Sequence, residues 1–220
     1  MSEKEPYQVL KSSNDVTFSH YDQYVYLYYT LPVIRKAKII VETGLGLGLS
    51  TRIFLEALSH LPDPETRTLH TFDMLEHREL LGTSQQMIDE GTDDATAHPT
   101  RTTPPKIRQC NFPAKWVLHV CDSTHGGEFL PSDTKIDVLY LDSDHSYSSV
   151  MAELKSFGRF LDWHSLIWAH DSMPLNEHAS FTQGVGKPSD TYYALRDWGD
   201  ANGYRILLYP HPNGITLAFK

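Results

Sequence analysis

Apolar positions along this chain fall into short runs rich in β-branched and aromatic residues, separated by stretches of helical periodicity. Ile39, Ile40 and Val41 form one such run, and its brevity suits a strand covered on both faces. Three glycines follow, and then Ile53, Phe54, Ala57 and Leu58 recur at the spacing of one helix face. Tyr24 to Ala37 reads as an aromatic-rich helix interrupted at Pro32, leading into a first strand over Lys38 to Thr43. Leu69 to Phe72 predicts a second strand ending at Asp73, and Trp116 to Val120 a third ending near Asp122. Ile136 to Leu141 predicts a fourth, ending at Asp142. A helix around Ser149 to Leu161 precedes a fifth strand, Ser165 to Ala169, which ends at His170 and Asp171. Tyr192 to Asn202 reads as a last helix. Tyr204 to Tyr209 and Ile215 to Phe219 then flank the turn PHPNG as a hairpin.

Strands alternating with helices imply a parallel sheet with right-handed crossovers. The expected fold is therefore a single doubly wound α/β domain over residues 1–220. Its sheet should have seven mostly parallel strands, with an antiparallel strand in the C-terminal hairpin. Residues 1–37 form an N-terminal helical segment in this reading. Residues 74–113, which include TDDATAHPTRTTPP, are too polar for core and too long for a simple connector. They read as an insertion that is either a lid shaping a substrate pocket or a plain surface loop.

Composition narrows the partners. The 220 residues are 40% hydrophobic and 21% charged, ordinary for a globular protein. A net charge of −9 argues against nucleic acid or an anionic membrane as the main partner, since both attract basic surfaces. It suits a neutral or cationic small ligand, although a solvated acidic surface explains it as well. Cys110 and Cys121 are the only cysteines, too few for a disulfide framework, so a cytoplasmic setting is expected. The polar start MSEKEPYQVL has no apolar core of a secretion signal. No run of about twenty apolar residues offers a membrane span.

The glycine turn decides among ligands. A phosphate-gripping loop has lysine and then serine or threonine after its last glycine, whereas Gly48 is followed by Leu49 and Ser50. A dinucleotide turn needs glycine at its first, third and sixth positions, and the sixth position from Gly44 is Leu49. What remains is E-x-G-x-G-x-G, with Glu42 ahead of Gly44, Gly46 and Gly48. Glycine there lets the backbone turn sharply and approach a bound molecule.

VETGLGLGLST resembles the first motif of class I S-adenosylmethionine-dependent methyltransferases, whose fold is Rossmann-like. The resemblance places Asp73 at the family's ribose-binding carboxylate, and Asp122 with Ser123 where the family contacts adenine. The longer stretch IDVLYLDSDHSYSSVMAELKSFGRFL, followed by LIWAHD, is more specific. It resembles the metal-dependent small-molecule O-methyltransferases of the catechol, caffeoyl-coenzyme A and macrocin type, and the related cephalosporin hydroxylase-like proteins. Those chains carry an aspartate-rich motif after strand four and an acidic pair after strand five. The likeness covers residues 24–219 apart from 74–113. Two departures stand out: DWHSL, Asp162 to Leu166, replaces glycines common before strand five, and His170 replaces the first carboxylate of catechol-type enzymes.

The resemblance implies S-adenosylmethionine as cofactor, a small-molecule hydroxyl as methyl acceptor, and a homodimer as a common assembly. A divalent ion is a further expectation, at Asp142, His170 and Asp171, with magnesium ahead of calcium, manganese, iron or zinc. His145, three residues after Asp142, is the expected base, because an unperturbed imidazole titrates near ~6.5. Each choice has a plainer counterpart. Glu42 could be a loop partner, and Asp73, Asp122, Asp142 and Asp171 could be turn formers or helix caps. Asp133 and Asp137 read as solvated residues at the opposite end of strand four. His119 reads as a packed or edge residue, while His125, His178 and His211 have no pattern. Trp163 and Trp168 read as core or interface aromatics. The rival functions are a non-catalytic module that keeps the cofactor pocket, a hydroxylase-like enzyme on the same scaffold, and an NAD-dependent oxidoreductase, which Leu49 disfavours.

Overall fold

The computed structural model describes residues 22–46, 48–74, 112–173, 188–209 and 214–220. Most of the 74–113 insertion, Cys110, His178, His211 and the tip of the PHPNG turn lie outside the described residues.

Helix α1 (Asp22–Arg35) runs through Pro32 instead of breaking there. Proline removes one amide from the ladder, but Pro32 sits in the last turn, and its carbonyl still accepts from the Ala37 amide at 2.9 Å. Strand β1 (Ile39–Thr43) leads through the glycine turn to α2 (Leu49–His60). Strands β2 (Thr68–Asp73) and β3 (Lys115–Val120) follow, then a 3-10 helix over Ser123–Phe129. Next come β4 (Val138–Leu141), α3 (Tyr147–Phe157) and β5 (Leu166–Ala169). Helix α4 (Asp190–Asn202) precedes β6 (Arg205–Tyr209) and β7 (Ile215–Phe219).

The seven strands form one sheet in the order β3-β2-β1-β4-β5-β7-β6. Strands β1 to β5 are mutually parallel, and β7 runs antiparallel to both of its neighbours. This is the architecture expected. The chain builds outward from β1 to β3 and then returns to β4 on the other side of β1. The connections leaving β1 and β4 therefore diverge, and open α/β sheets bind ligands at such a switch point.

Strand β4 starts two residues later than expected, and Asp137 supplies the reason. Its Oδ2 accepts from the Lys38 and Ile39 amides at 2.7 and 2.9 Å. Asp137 thus closes the start of β1 and is not simply solvated, as the sequence had suggested.

Apolar residues pack on both faces of the sheet. Tyr28, Phe54, Tyr140 and Trp168 lie on the face covered by α1 and α2. Phe72, Leu154, Phe157 and Trp198 lie on the face covered by α3 and α4. Tyr28 stacks on Trp168 with centroids 4.6 Å apart and rings 17° from parallel. Trp168 is core, as expected, whereas Trp163 is exposed in the loop before β5. On the edge strand β3, His119 stacks against Phe72 at 4.3 Å and pairs with His70 at 3.0 Å. Burial pushes both imidazoles down, and with His119 and Lys115 nearby His70 falls to about 4. They are neutral packing groups near pH 7. No described helix is long and apolar enough to cross a membrane.

Candidate active site

Glu42 sits one residue before the end of β1 and is fully buried. Its carboxylate accepts from three hydroxyls: Ser50 at 2.5 Å, Thr51 at 2.7 Å and Thr71 at 2.8 Å. Burial pushes its pKa up to about 7, against the pull of those hydroxyls. Glu42 therefore ties β1, β2 and α2 together beneath the turn, with no surface open to a ligand. Ser50 and Thr51, in the first turn of α2, spend their hydroxyls on Glu42. The N-cap of α2 is Gly48, in the left-handed region at φ 72°.

The other two glycines have different reasons to be glycine. Gly44 has φ +83°, and a Cβ there would lie 2.1 Å from the Asp142 carbonyl oxygen. Only a residue without a side chain lets the turn press against the end of β4. Gly46 has φ +51° with no atom of the described residues within 4 Å of a Cβ, and it is exposed. The tip of β2 fixes the turn from its other side: Phe72 O accepts from the Gly44 amide at 2.8 Å, and Asp73 Oδ2 from the Leu45 amide at 2.6 Å.

Asp122 and Ser123 lie at the same edge, after β3. Asp122 caps the 3-10 helix, accepting from the Thr124 amide at 2.8 Å and its hydroxyl at 2.7 Å. Those bonds hold its carboxyl below the usual carboxylate range. Ser123 is buried, and its hydroxyl points to Glu153 at 2.5 Å.

The ends of β4 and β5 bring Asp142, His170 and Asp171 together, as neighbouring parallel strands should. His145, expected only as a base, joins the same group. One ligand atom from each of the four residues lies within 4.8 Å of every other. His145 Nε2 is 3.3 Å from Asp142 Oδ1 and 3.2 Å from Asp171 Oδ2. His170 Nδ1 is 3.2 Å from Asp142 Oδ1 and 3.1 Å from Asp171 Oδ1. Burial pushes the His170 imidazole down, but Asp142 and Asp171 outweigh it and hold its pKa at about 10. The same contest leaves His145 raised, through Asp142 first and Asp171 next. Burial pushes Asp142 up, yet the two histidines bring it down to about 2. His170 and Asp142 are thus held as an ion pair, and His145 is drawn toward its charged form.

The cap reading of Asp142 does not hold. Helix α3 is capped by Ser146, whose side chain accepts from the Ser149 amide. Asp144 accepts from the Ser146 amide at 3.1 Å and the Ser149 hydroxyl at 2.7 Å. Asp171 stands at φ 48°, a left-handed position that aspartate tolerates at some cost and that often marks a site. Its buried Oδ1 faces the His170 imidazole at 3.1 Å. Two carboxylates and two imidazoles whose ligand atoms lie within 4.8 Å of one another are a donor set that fits a divalent cation. A donor set containing imidazole moves that fit from magnesium, which prefers all-oxygen shells, toward manganese, iron or zinc.

Three participants escaped the sequence reading: Tyr140, Glu153 and Ser143. Glu153 carried a signal, because it stands inside the apolar stripe Val150, Leu154 and Phe157 of α3, where an acid is out of place.

Comparison with known proteins agrees with this geometry. A family model described as a methyltransferase domain matches residues 41–172, more than half of the chain. No curated protein sequence matches. Among solved structures, an O-methyltransferase from Bacillus cereus in complex with S-adenosylhomocysteine superposes with a TM-score of 0.56 at 14% identity, covering 97% of this chain and 88% of that one. A TDP-rhamnose 3'-O-methyltransferase of calicheamicin biosynthesis gives 0.59 at 14% identity, covering 91% and 80%. The O-methyltransferase TomG of tomaymycin synthesis from Streptomyces achromogenes, in complex with S-adenosylmethionine, gives 0.55 at 13% identity, covering 90% and 79%. These likenesses establish the fold, that of class I methyltransferases, and the matched model establishes the family: this chain belongs to the methyltransferase-domain family.

Proposed function

We propose that this chain transfers a methyl group from S-adenosylmethionine to a hydroxyl of a small molecule. In this reading Asp142, His170 and Asp171 hold a divalent ion and His145 takes the acceptor's proton. The observation that carries it is the packing of Gly44 on the Asp142 carbonyl. The turn that would face the cofactor and the cluster that would face the acceptor share one wall. The relatives' names support a hydroxyl acceptor, and two of those structures hold S-adenosylmethionine or S-adenosylhomocysteine.

When bound, S-adenosylmethionine supplies a methyl already activated by its sulfonium, so the protein has to align the acceptor and remove its proton. Asp73, half-exposed at the tip of β2, accepts hydrogen bonds from ribose hydroxyls. Gly46 leaves the turn open for close approach, and Asp122 with Ser123 borders the adenine side. Asp142, His170 and Asp171 would hold a divalent cation, which would supply Lewis acidity toward the acceptor hydroxyl. His145 is the most exposed of the four, at 37% of its side chain. Asp142 and Asp171 strengthen its hold on a proton.

The test is transfer of labelled methyl from S-adenosylmethionine to a panel of catechols, phenols and sugar nucleotides, with manganese, magnesium or a chelator. Label in at least one hydroxyl acceptor, lost with chelator, is the expected result. Cofactor binding without transfer under any of these conditions favours a non-catalytic module instead.

A further inference from the structure

Glu153 lies on the face of α3 that packs against the sheet and is fully buried. Its Oε1 accepts from the Ser123 hydroxyl and from the Ser143 hydroxyl, each at 2.5 Å. The Thr43 hydroxyl is a further neighbour that favours the charged carboxyl, while Glu153 Oε2 makes no hydrogen bond among the described residues. Thr43 Oγ1 accepts from the Asp142 amide at 3.4 Å. One buried carboxyl therefore gathers the ends of β1, β3 and β4. Glu42 does the corresponding work on the opposite face, as alternation along β1 requires of neighbours Glu42 and Thr43. The two acids grip the tip of β1 from both sides.

Burying a carboxyl without a cation is unfavourable, and an apolar residue at position 153 would pack α3 better. Among the described residues no lysine or arginine is paired with Glu153. Its burial opposes stability, and what it gains is the fixed relation of three loops. We propose that Glu153 is a positioning residue of the cofactor site, holding the Ser123 segment in register with Ser143 and Thr43 beside Asp142. The proposal rests on the cofactor reading above.

The experiment compares wild type with Glu153→Met, which fills the space without an acceptor, and Glu153→Gln, which keeps one. S-adenosylhomocysteine binding is measured by calorimetry and folding by thermal melting. The Met variant should melt at or above the wild-type temperature yet bind at least tenfold more weakly. The Gln variant should stay within threefold of wild type. Adding Ser143→Ala to the Met variant should cost little more, because both changes break one linkage. A Met variant that binds as tightly as a binding-competent wild type overturns this proposal alone. A wild type that does not bind overturns the cofactor reading first. Should the Met variant fail to fold, Ser143→Ala carries the test: weakened binding supports the linkage and unchanged affinity overturns it.

Discussion

The Tyr140 hydroxyl donates to Asp142 Oδ2 at 2.9 Å. The ring is fully buried, and its oxygen lies 2.8 Å from that of Tyr28 on α1. Burial, with Asp142 next to it, raises the Tyr140 phenol well above its ordinary value, so it stays a donor. The two oxygens of Asp142 are thereby divided: one is held by the sheet, and the other faces His145 and His170. Partners behind a ligand commonly orient it and tune affinity. Tyr140→Phe should destabilise the fold by roughly 1.5–3 kcal/mol, the range for a hydrogen bond to a charged group. It should also weaken manganese binding by about 10–100-fold. Urea unfolding and metal titration read the two effects, and unchanged metal affinity would detach Tyr140 from the site.

The glycines separate fold from function. Gly44→Ala drives a Cβ into the Asp142 carbonyl, so it should lower stability by about 1–3 kcal/mol from overpacking alone and disturb the cluster as well. Gly46→Val places a Cβ that meets no atom of the described residues within 4 Å. It should leave a folded protein, less stable by about 1–2 kcal/mol from its left-handed backbone, that no longer binds the cofactor. Equal behaviour of the two variants in melting and binding would refute the distinction.

Glu42 makes stability depend on pH in a defined sense. Its folded pKa, about 7, lies above the ordinary 4.5, so the folded state holds the extra proton. Its contribution is fully present below pH ~4.5 and is lost as pH rises through ~7. The loss amounts to roughly 3 kcal/mol at ~1.4 kcal/mol per tenfold change in proton affinity. Glu42→Gln removes this dependence, so its denaturation midpoint should improve relative to wild type between pH 5 and pH 8. Parallel pH profiles would show that Glu42 does not titrate in this range.

The cluster assigns different work to its two histidines. His170→Ala should abolish binding of manganese. His145→Ala should bind the ion within a few-fold of wild type and lose about 10²–10⁴ in kcat, the usual worth of a general base. Paramagnetic resonance of bound manganese separates the outcomes. Loss of the ion in both variants would make His145 a ligand and remove it as the base.

Much of the fold was legible because strands buried on both faces leave continuous apolar runs, such as Val138 to Leu141. The position of Asp142, His170 and Asp171 followed from the same pattern, since neighbouring parallel strands end at one edge. What the sequence hid depends on direction. Nothing in VETGLGLGLST says that Glu42 points beneath the turn to collect hydroxyls and that Gly44 alone touches β4. Pro32 looked like a helix break, and only its place in the last turn makes it harmless. Asp122 and Asp137 are alike as letters, and each is defined by the amides it accepts. His145 needed the loop after β4 to fold back before its place among the four residues could be known.

Calorimetric titration with S-adenosylhomocysteine, of wild type and of Asp73→Ala, decides whether the carboxyl edge of this sheet is a cofactor site. The wild type should give saturable binding, with little heat from NAD. Asp73→Ala should weaken it by roughly 1.5–3 kcal/mol, as expected for lost hydrogen bonds to a charged group. Equal affinity of the variant would remove Asp73 from the site. No binding to the wild type would contradict S-adenosylmethionine-dependent methyl transfer as the activity of this chain.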